Sequence, residues 1–186
     1  MVDAKRFFSE RQERSGRLMK QNSKILALLG LCTAAAMILS YVESFVPFPI
    51  PGLKIGLPNV VIVFVLYRVG WTSAAAVSLV RVGLTAVLFG NMLSLAYSLA
   101  GAVLSLAVML LLKKMDCFSV VGVSVAGGVS HNAAQIMVAA AVMRTDQILY
   151  YLPFLIIGGT AAGILIGIAG GILLKRIPDM NVMRRH

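Results

Sequence analysis

Acidic residues are scarce in this sequence. Only seven of the 186 residues are Asp or Glu, against 17 Lys and Arg, and no two acids are adjacent or within two positions of each other. An enzyme that holds magnesium on a diphosphate needs clustered carboxylates, so the sequence excludes that kind of catalytic site. It also contains no Gly-x-x-x-x-Gly-Lys-Ser/Thr motif, so it carries no ATP-binding P-loop of its own.

Charge of either sign is also rare. Charged residues make up 13% of the chain and hydrophobic residues 59%, with a mean hydropathy of +0.90. This composition leaves too little polar surface to cover a soluble domain. Nine charged residues lie among the 150 positions from Ile25 to Leu174, almost all between long apolar blocks. The sequence therefore predicts a multi-pass protein of the cell membrane.

Six apolar segments are candidate membrane spans. A spanning helix needs about 20 mainly apolar residues, and the backbone of such a segment is satisfied within the bilayer only as a helix. The second segment is too short to cross alone, unless it begins in the stretch 52–56 with Pro58 in its first turn. The six segments are Ile25–Val42, Leu57–Tyr67, Thr72–Phe89, Leu93–Leu112, Phe118–Met143 and Leu149–Leu174. The predicted fold is thus an all-α bundle of six transmembrane helices.

The basic residues predict how this bundle is oriented. Short cytoplasmic loops are enriched in Lys and Arg. With six spans and a cytoplasmic N-terminus, 14 of the 17 basic residues lie on the inner side, Lys54 and Arg144 lie outside, and Arg81 lies within the third span. Omitting the second span would move Lys113 and Lys114 outside. We therefore predict both termini in the cytoplasm, with a basic arm at 1–24, a membrane domain at 25–175 and a tail at 176–186.

A net charge of +10 could indicate a nucleic-acid partner. The basic residues, however, lie beside the predicted spans, where they would meet the negatively charged inner leaflet. We therefore expect membrane lipid as their partner and no nucleic acid. The two cysteines, Cys32 within the first span and Cys117 at the inner boundary, are not expected to form a disulfide.

Small residues predict where helices approach closely. Gly159, Gly163, Gly167 and Gly171 recur at every fourth position of the sixth span, and Gly30 and Ala34 have the same spacing in the first. Such a face lets another backbone come near. The sequence leaves two interpretations open for each face: contact with a partner protein, or packing inside the bundle.

Polar residues in the middle of the fifth span predict a binding site. His131 and Gln135 are four residues apart and share a helix face, whereas Asn132 is offset by about 100°. Polar groups at membrane depth are costly and often functional. The alternative is a set of interhelical hydrogen bonds without a ligand. A metal is not expected, because no carboxylate or thiol accompanies this histidine.

Arg81 lies midway along the third span with no acid in its own helix. A buried guanidinium must meet a carboxylate, carbonyl groups, water or an anionic ligand. Two interpretations therefore stay open for Arg81. It either forms a structural pair or reaches towards the membrane surface, or it compensates the charge of a ligand.

The connection from Glu43 to Asn59 is predicted to cover an outward-facing pocket. It contains four prolines and two glycines, which make a stiff, shaped loop. We expect Glu43, Lys54 and Asn59 to close over a small molecule that His131, Asn132 and Gln135 hold. Arg81, Asn91 and Tyr97 are weaker candidates for the wall of the pocket.

Two segments carry a family resemblance. Tyr41-Val-Glu43-Ser with Pro51-Gly-Leu-Lys54-Ile-Gly-Leu-Pro-Asn59, and Gly127-Gly-Val-Ser-His131-Asn132-x-x-Gln135, resemble the Gx transporter family, whose members are often labelled heptaprenyl diphosphate synthase component I. That family is in turn similar to the S components of energy-coupling factor (ECF) transporters. These are small six-helix bundles that bind substrates.

The resemblance implies a function and a set of partners. It implies capture of a small molecule from outside, with uptake powered by a transmembrane coupling protein and two cytoplasmic ATPases. It also implies docking through small residues of the first span, here Gly30 and Ala34, and it implies no cofactor. The alternative is a non-catalytic membrane subunit in prenyl diphosphate synthesis, since the scattered acids do not form a catalytic site for that reaction.

Overall fold

The computed structural model describes residues 2–45, 56–89 and 92–177, and every regular element in these ranges is helical. One continuous helix opens the chain, a short helix follows, and four long helices complete the bundle. The elements are α1 (Val2–Ser44), α2 (Asn59–Arg68), α3 (Trp71–Phe89), α4 (Met92–Lys114), α5 (Val120–Met143), a 3-10 helix (Asp146–Tyr151) and α6 (Leu152–Arg176). The prediction of an all-α protein is confirmed.

Five of the helices are long and apolar enough to cross a membrane. They lie in α1, α3, α4 and α5 and in the segment that ends with α6. Many large apolar side chains on these helices point away from the bundle; Leu26, Val87 and Leu165 are examples. In a lipid bilayer this surface meets acyl chains rather than water. The protein is therefore a multi-pass membrane protein, as its composition predicted.

The short helix α2 lies inside the bundle. Its 10 residues extend about 15 Å, roughly half the thickness of the hydrocarbon core. The six residues from Val61 to Leu66 are all buried. A helix that is apolar on every side is stable only when other elements surround it, and α2 packs against α1, α3, α5 and α6. Because α2 is so short, the six-span count stays a prediction.

Opposite charges from two other helices stabilise the two ends of α2. In the turn before it, the N–H of Gly56 donates a hydrogen bond to Oε1 of Glu43 in α1. At its other end, Nζ of Lys113 in α4 donates to the carbonyl of Leu66 at 2.6 Å and lies 4.7 Å from the centroid of the Tyr67 ring. A carboxylate near a helix N-terminus and an ammonium group near its C-terminus both complement the helix dipole.

These contacts also fix the directions of the helices. The Lys113 to Leu66 bond places the C-terminal ends of α2 and α4 together, while α5 runs antiparallel to α4 and α6. The basic residues Lys113, Lys175 and Arg176 thus gather at one end of the bundle. The charge pattern predicts that this end of the bundle faces the cytoplasm. That orientation stays a prediction.

Glycines bring α5 and α6 into backbone contact. A Cβ atom on Gly163 would lie 2.5 Å from Cα of Val125, and one on Gly159 would lie 3.0 Å from the carbonyl oxygen of Gly128. Real Cβ atoms do not come as close as 2.5 Å to backbone, so only glycine fits at Gly163, and the contact at Gly159 is already tight. Most of the predicted glycine face therefore packs within the bundle. Gly171 is the exception, since a Cβ there would meet no atom within 4 Å.

The first helix is continuous across residue 24, where the sequence analysis ended the basic arm. It runs without a break for 43 residues, about 64 Å. Its buried face includes Ala36 and Ser40. The residues Gly30 and Ala34 are exposed on another face, and a Cβ on Gly30 would meet no atom within 4 Å. The described part of the bundle therefore leaves this small-residue face open.

Candidate functional site

Polar side chains from three helices surround one glycine. Gly56 has a φ of +92°, a left-handed conformation that favours glycine. Its N–H and that of Leu57, at 3.3 Å, both donate to Oε1 of Glu43. A Cβ at Gly56 would lie 3.0 Å from Nδ2 of Asn59 and 3.5 Å from Cδ2 of His131. The sequence predicts Glu43, Asn59 and His131 in one pocket, and the structure brings these three residues together.

The His131 ring also packs directly on the backbone of α4. A Cβ on Gly101 would lie between 2.7 and 3.0 Å from three atoms of this ring. The ring, only 3% exposed, is thus held between Gly101 and Gly56. Sequence reasoning missed Gly101. Its signal was an isolated glycine within an otherwise apolar helical segment, which often marks a close approach.

Tyr97 and Gln135 lie one helical turn beyond this contact. Because α4 and α5 are antiparallel and Gly101 faces His131, the residues four positions away on each helix occupy the same level. Both side chains are fully buried, at 0% exposure. Tyr97 packs in an apolar cluster with Ile136 and neighbouring residues. Tyr97 was predicted as a weaker candidate for the wall of the pocket, and the structure places it fully inside the bundle.

Asn132 points towards a different helix. Its Nδ2 donates a 2.9 Å hydrogen bond to the carbonyl of Leu155 in α6, and a Cβ on Gly159 would lie 2.9 Å from the same nitrogen. This direction agrees with the 100° offset between Asn132 and His131. The contact is the interhelical hydrogen bond that the sequence analysis left open as the alternative, and a ligand contact for Asn132 stays a prediction.

Arg81 is buried on α3 rather than extended to the membrane surface, with 4% exposure. Its Nη1 donates to Oγ of Ser40 in α1 at 3.1 Å, and the negative charge of Glu43 also acts on the guanidinium. Thr85, one turn further along α3, is also buried. Thr85 was not among the predicted site residues, although the four-residue spacing places it on the same face as Arg81.

Two predicted site residues, Lys54 and Asn91, lie outside the described residues, as does most of the predicted covering loop. Among residues 2–45, 56–89 and 92–177, no three His, Cys, Asp or Glu side chains are placed to hold a metal ion. What the described residues offer is a buried set of hydrogen-bonding groups from α1 to α5. Such groups either lock helices together or hold a small molecule.

The comparisons with known proteins give one match. The family model of heptaprenyl diphosphate synthase component I matches residues 32–173, well over half of the 186-residue chain. No curated protein and no solved structure matches the chain. The matched range includes Glu43, Asn59, Arg81 and His131, so the polar site lies within the part of the chain that the family shares. The chain belongs to the heptaprenyl diphosphate synthase component I family.

Proposed function

We propose that this protein is a substrate-binding membrane subunit, similar to the S components of ECF transporters, which captures a small molecule from outside for ATP-driven uptake. The observation that supports the proposal is the convergence of Glu43, Asn59 and His131 around Gly56, with Arg81 beside Glu43. Charged and polar groups buried at membrane depth are costly, and a ligand is a common reason for them. The bundle would adopt six crossings with both termini in the cytoplasm.

The ligand would lie between the covering loop and the middle of α5. In this proposal Glu43, Asn59 and His131 line the site, with Arg81 and Gln135 deeper in its wall. Lys54, Asn91 and Tyr97 are further members of the set that the sequence predicted. The remaining member, Asn132, would hold α5 to α6 through its hydrogen bond to the Leu155 carbonyl rather than touch the ligand. Burial in a low-dielectric interior would strengthen each hydrogen bond to the ligand relative to the same bond in water.

Partner subunits would supply the energy and the coupling. The sequence has no P-loop, so ATP hydrolysis would come from two cytoplasmic ATPases attached to a transmembrane coupling protein. The exposed small-residue face of α1, with Gly30 and Ala34, would dock on that coupling protein. Small residues allow helix backbones to approach closely, which is how helices associate in lipid.

The family name favours a second function. It describes one component of a heptaprenyl diphosphate synthase, which implies a partner component. In this alternative the protein would be a non-catalytic membrane subunit of that assembly, because its scattered acids provide no magnesium site for diphosphate chemistry. A synthase whose product is a long apolar chain would benefit from a membrane subunit.

Affinity purification from native membranes separates the two functions. We expect ATPase subunits and a coupling protein to co-purify with the tagged protein, together with a small molecule that mass spectrometry detects. Recovery of a prenyl diphosphate synthase subunit, without ATPases, would support the alternative instead.

Two variants then test the site itself. His131→Ala should lose the co-purified compound. Ser130→Ala should retain it, because the Ser130 hydroxyl donates to the carbonyl of Gly127 in its own helix. Equal retention of the compound in both variants would remove His131 from the site.

A further inference from the structure

We propose that the bound molecule presents an anionic oxygen group, a carboxylate or a phosphate, to Arg81 and Asn59. This inference rests on the proposed substrate-binding function and names the chemical class of the substrate. Several buried donors around the site have no hydrogen-bond partner among the described residues.

Arg81 provides the first unused donor. A guanidinium has five N–H groups and no acceptor. One of these groups is used by Ser40, at 3.1 Å. The Nε atom is buried and has no hydrogen-bond partner among the described residues. Because the side chain is only 4% exposed, bulk water does not satisfy this N–H.

Glu43 only partly offsets the charge of Arg81. Its Oε1 accepts hydrogen bonds from the N–H groups of Gly56 and Leu57, so the carboxylate also interacts with the backbone at the N-terminal end of α2. That end carries a partial positive charge from the helix dipole. One full negative charge therefore faces a guanidinium and a positive helix end together, and the local potential favours a further anion.

Asn59 provides the second unused donor. Its side chain is 5% exposed, and its Nδ2 has no hydrogen-bond partner among the described residues. An amide nitrogen donates and does not accept. This nitrogen lies beside Gly56, the residue that Glu43 binds. Arg81 and Asn59 thus both offer donors next to the same carboxylate.

The hydroxyl of Thr85 is a third unused group. Its Oγ1 is buried without a hydrogen-bond partner among the described residues, and its position one turn from Arg81 places it on the same face of α3. A hydroxyl donates or accepts, so it does not conflict with an anion. A cationic group would instead be repelled by the charge of the Arg81 guanidinium, which is unfavourable.

Melting of the purified protein in detergent, at constant ionic strength, tests this chemistry. Succinate and succinamide share a carbon skeleton and differ in charge, and inorganic pyrophosphate represents the phosphate class. We expect succinate, pyrophosphate or both to raise the melting temperature by on the order of 2–4 °C. Succinamide should have no effect, and the anion that acts identifies the carboxylate or the phosphate class.

The isosteric variant Asn59→Asp adds a negative charge with little change in shape. We expect it to weaken the effective anion on the order of tenfold or more and to abolish the melting shift. Arg144→Gln removes an exposed cation outside this site and should leave the shift unchanged, which controls for general charge effects. The proposal is overturned by an equal shift with succinamide, by no shift with either anion, or by a shift that survives Asn59→Asp.

Mass spectrometry of the co-purified material keeps this inference distinct from the proposed function. A neutral compound that His131→Ala loses, combined with no response to the anions, would leave substrate binding in place and reject the anionic class. Absence of any bound compound, together with no response to the anions, would reject both.

Discussion

The α5–α6 interface and the polar site around Gly56 hold the same bundle together in different ways. Between α5 and α6, glycines such as Gly163 put backbone against backbone. Around Gly56, by contrast, side chains of Glu43 and Arg81 connect helices through hydrogen bonds and charge. Lipid gives apolar helices no hydrophobic reason to associate, so packing and polar contacts must do so. Close backbone packing thus lies beside a site in which Nε of Arg81 and Nδ2 of Asn59 have no hydrogen-bond partner among the described residues.

The largest effect should come from the scaffold. In Gly163→Ala the new methyl group would lie 2.5 Å from Cα of Val125, and backbone cannot yield as a side chain does. We expect a loss of about 1–3 kcal/mol in the free energy of unfolding, measured by thermal melting in detergent. Gly158→Ala is the control, because its methyl group would meet no atom within 4 Å. Similar melting temperatures for the two variants would show that α5 and α6 move apart enough to accommodate the methyl group at little cost.

A second effect should appear at the centre of the polar site. Gly56→Ala forces a residue with a Cβ into φ +92° and presses that Cβ to 3.0 Å from the Asn59 amide. The left-handed conformation alone should cost about 1–2 kcal/mol of stability, and retention of the bound compound should also fall. Gly83→Ala, where a Cβ meets no atom within 4 Å, provides the control. Normal stability and retention in Gly56→Ala would contradict the placement of Gly56.

A third pair of variants should separate stability from binding. Asn132→Ala removes the hydrogen bond to Leu155 and should lower stability by about 0.6–1 kcal/mol while the compound is retained. Gly101→Ala should lose the compound, since its methyl group would displace the His131 ring from a position 2.7 Å away. Loss of the compound from Asn132→Ala at unchanged stability would instead place Asn132 in the binding site.

The smallest effect should come from the charge at the C-terminal end of α2. Lys113→Gln removes the ammonium group from the Leu66 carbonyl and the Tyr67 ring. We expect stability to fall by about 0.5–1 kcal/mol. The adjacent Lys114 is exposed, so Lys114→Gln should melt like the unmodified protein. Equal losses of stability in the two variants would show that the effect comes from the overall loss of a positive charge, not from the contact of Lys113 with the end of α2.

The sequence predicted the membrane class and most helices because length and hydropathy are local properties. It also predicted that His131 and Gln135 share a face, which follows from helix geometry alone. The boundary at residue 24 between the basic arm and the membrane domain stays a prediction, and α1 runs continuously through that position. Nothing in apolar spacing marks such a junction, because a solvated helix and a membrane helix have the same backbone.

The contacts that build the site could not be predicted in this way. Ser40 and Arg81 are 41 residues apart in the chain, and Gly56 meets Glu43 and His131 only after the helices have packed. Helix periodicity gives a face but not the neighbour that covers it. The isolated Gly101 was visible in the sequence, but its meaning depends on the ring that lies against it.

The unbroken course of α1 has a mechanical consequence. A continuous helix about 64 Å long is twice as long as the hydrocarbon core is thick, so a tilt of α1 as a rigid body would displace Ser44 sideways. The carboxylate of Glu43 lies at that end of α1, so such a displacement would lengthen or shorten its hydrogen bond from the N–H of Gly56. Force applied to one surface of the membrane would thus be felt near the other without any bending of the chain between them.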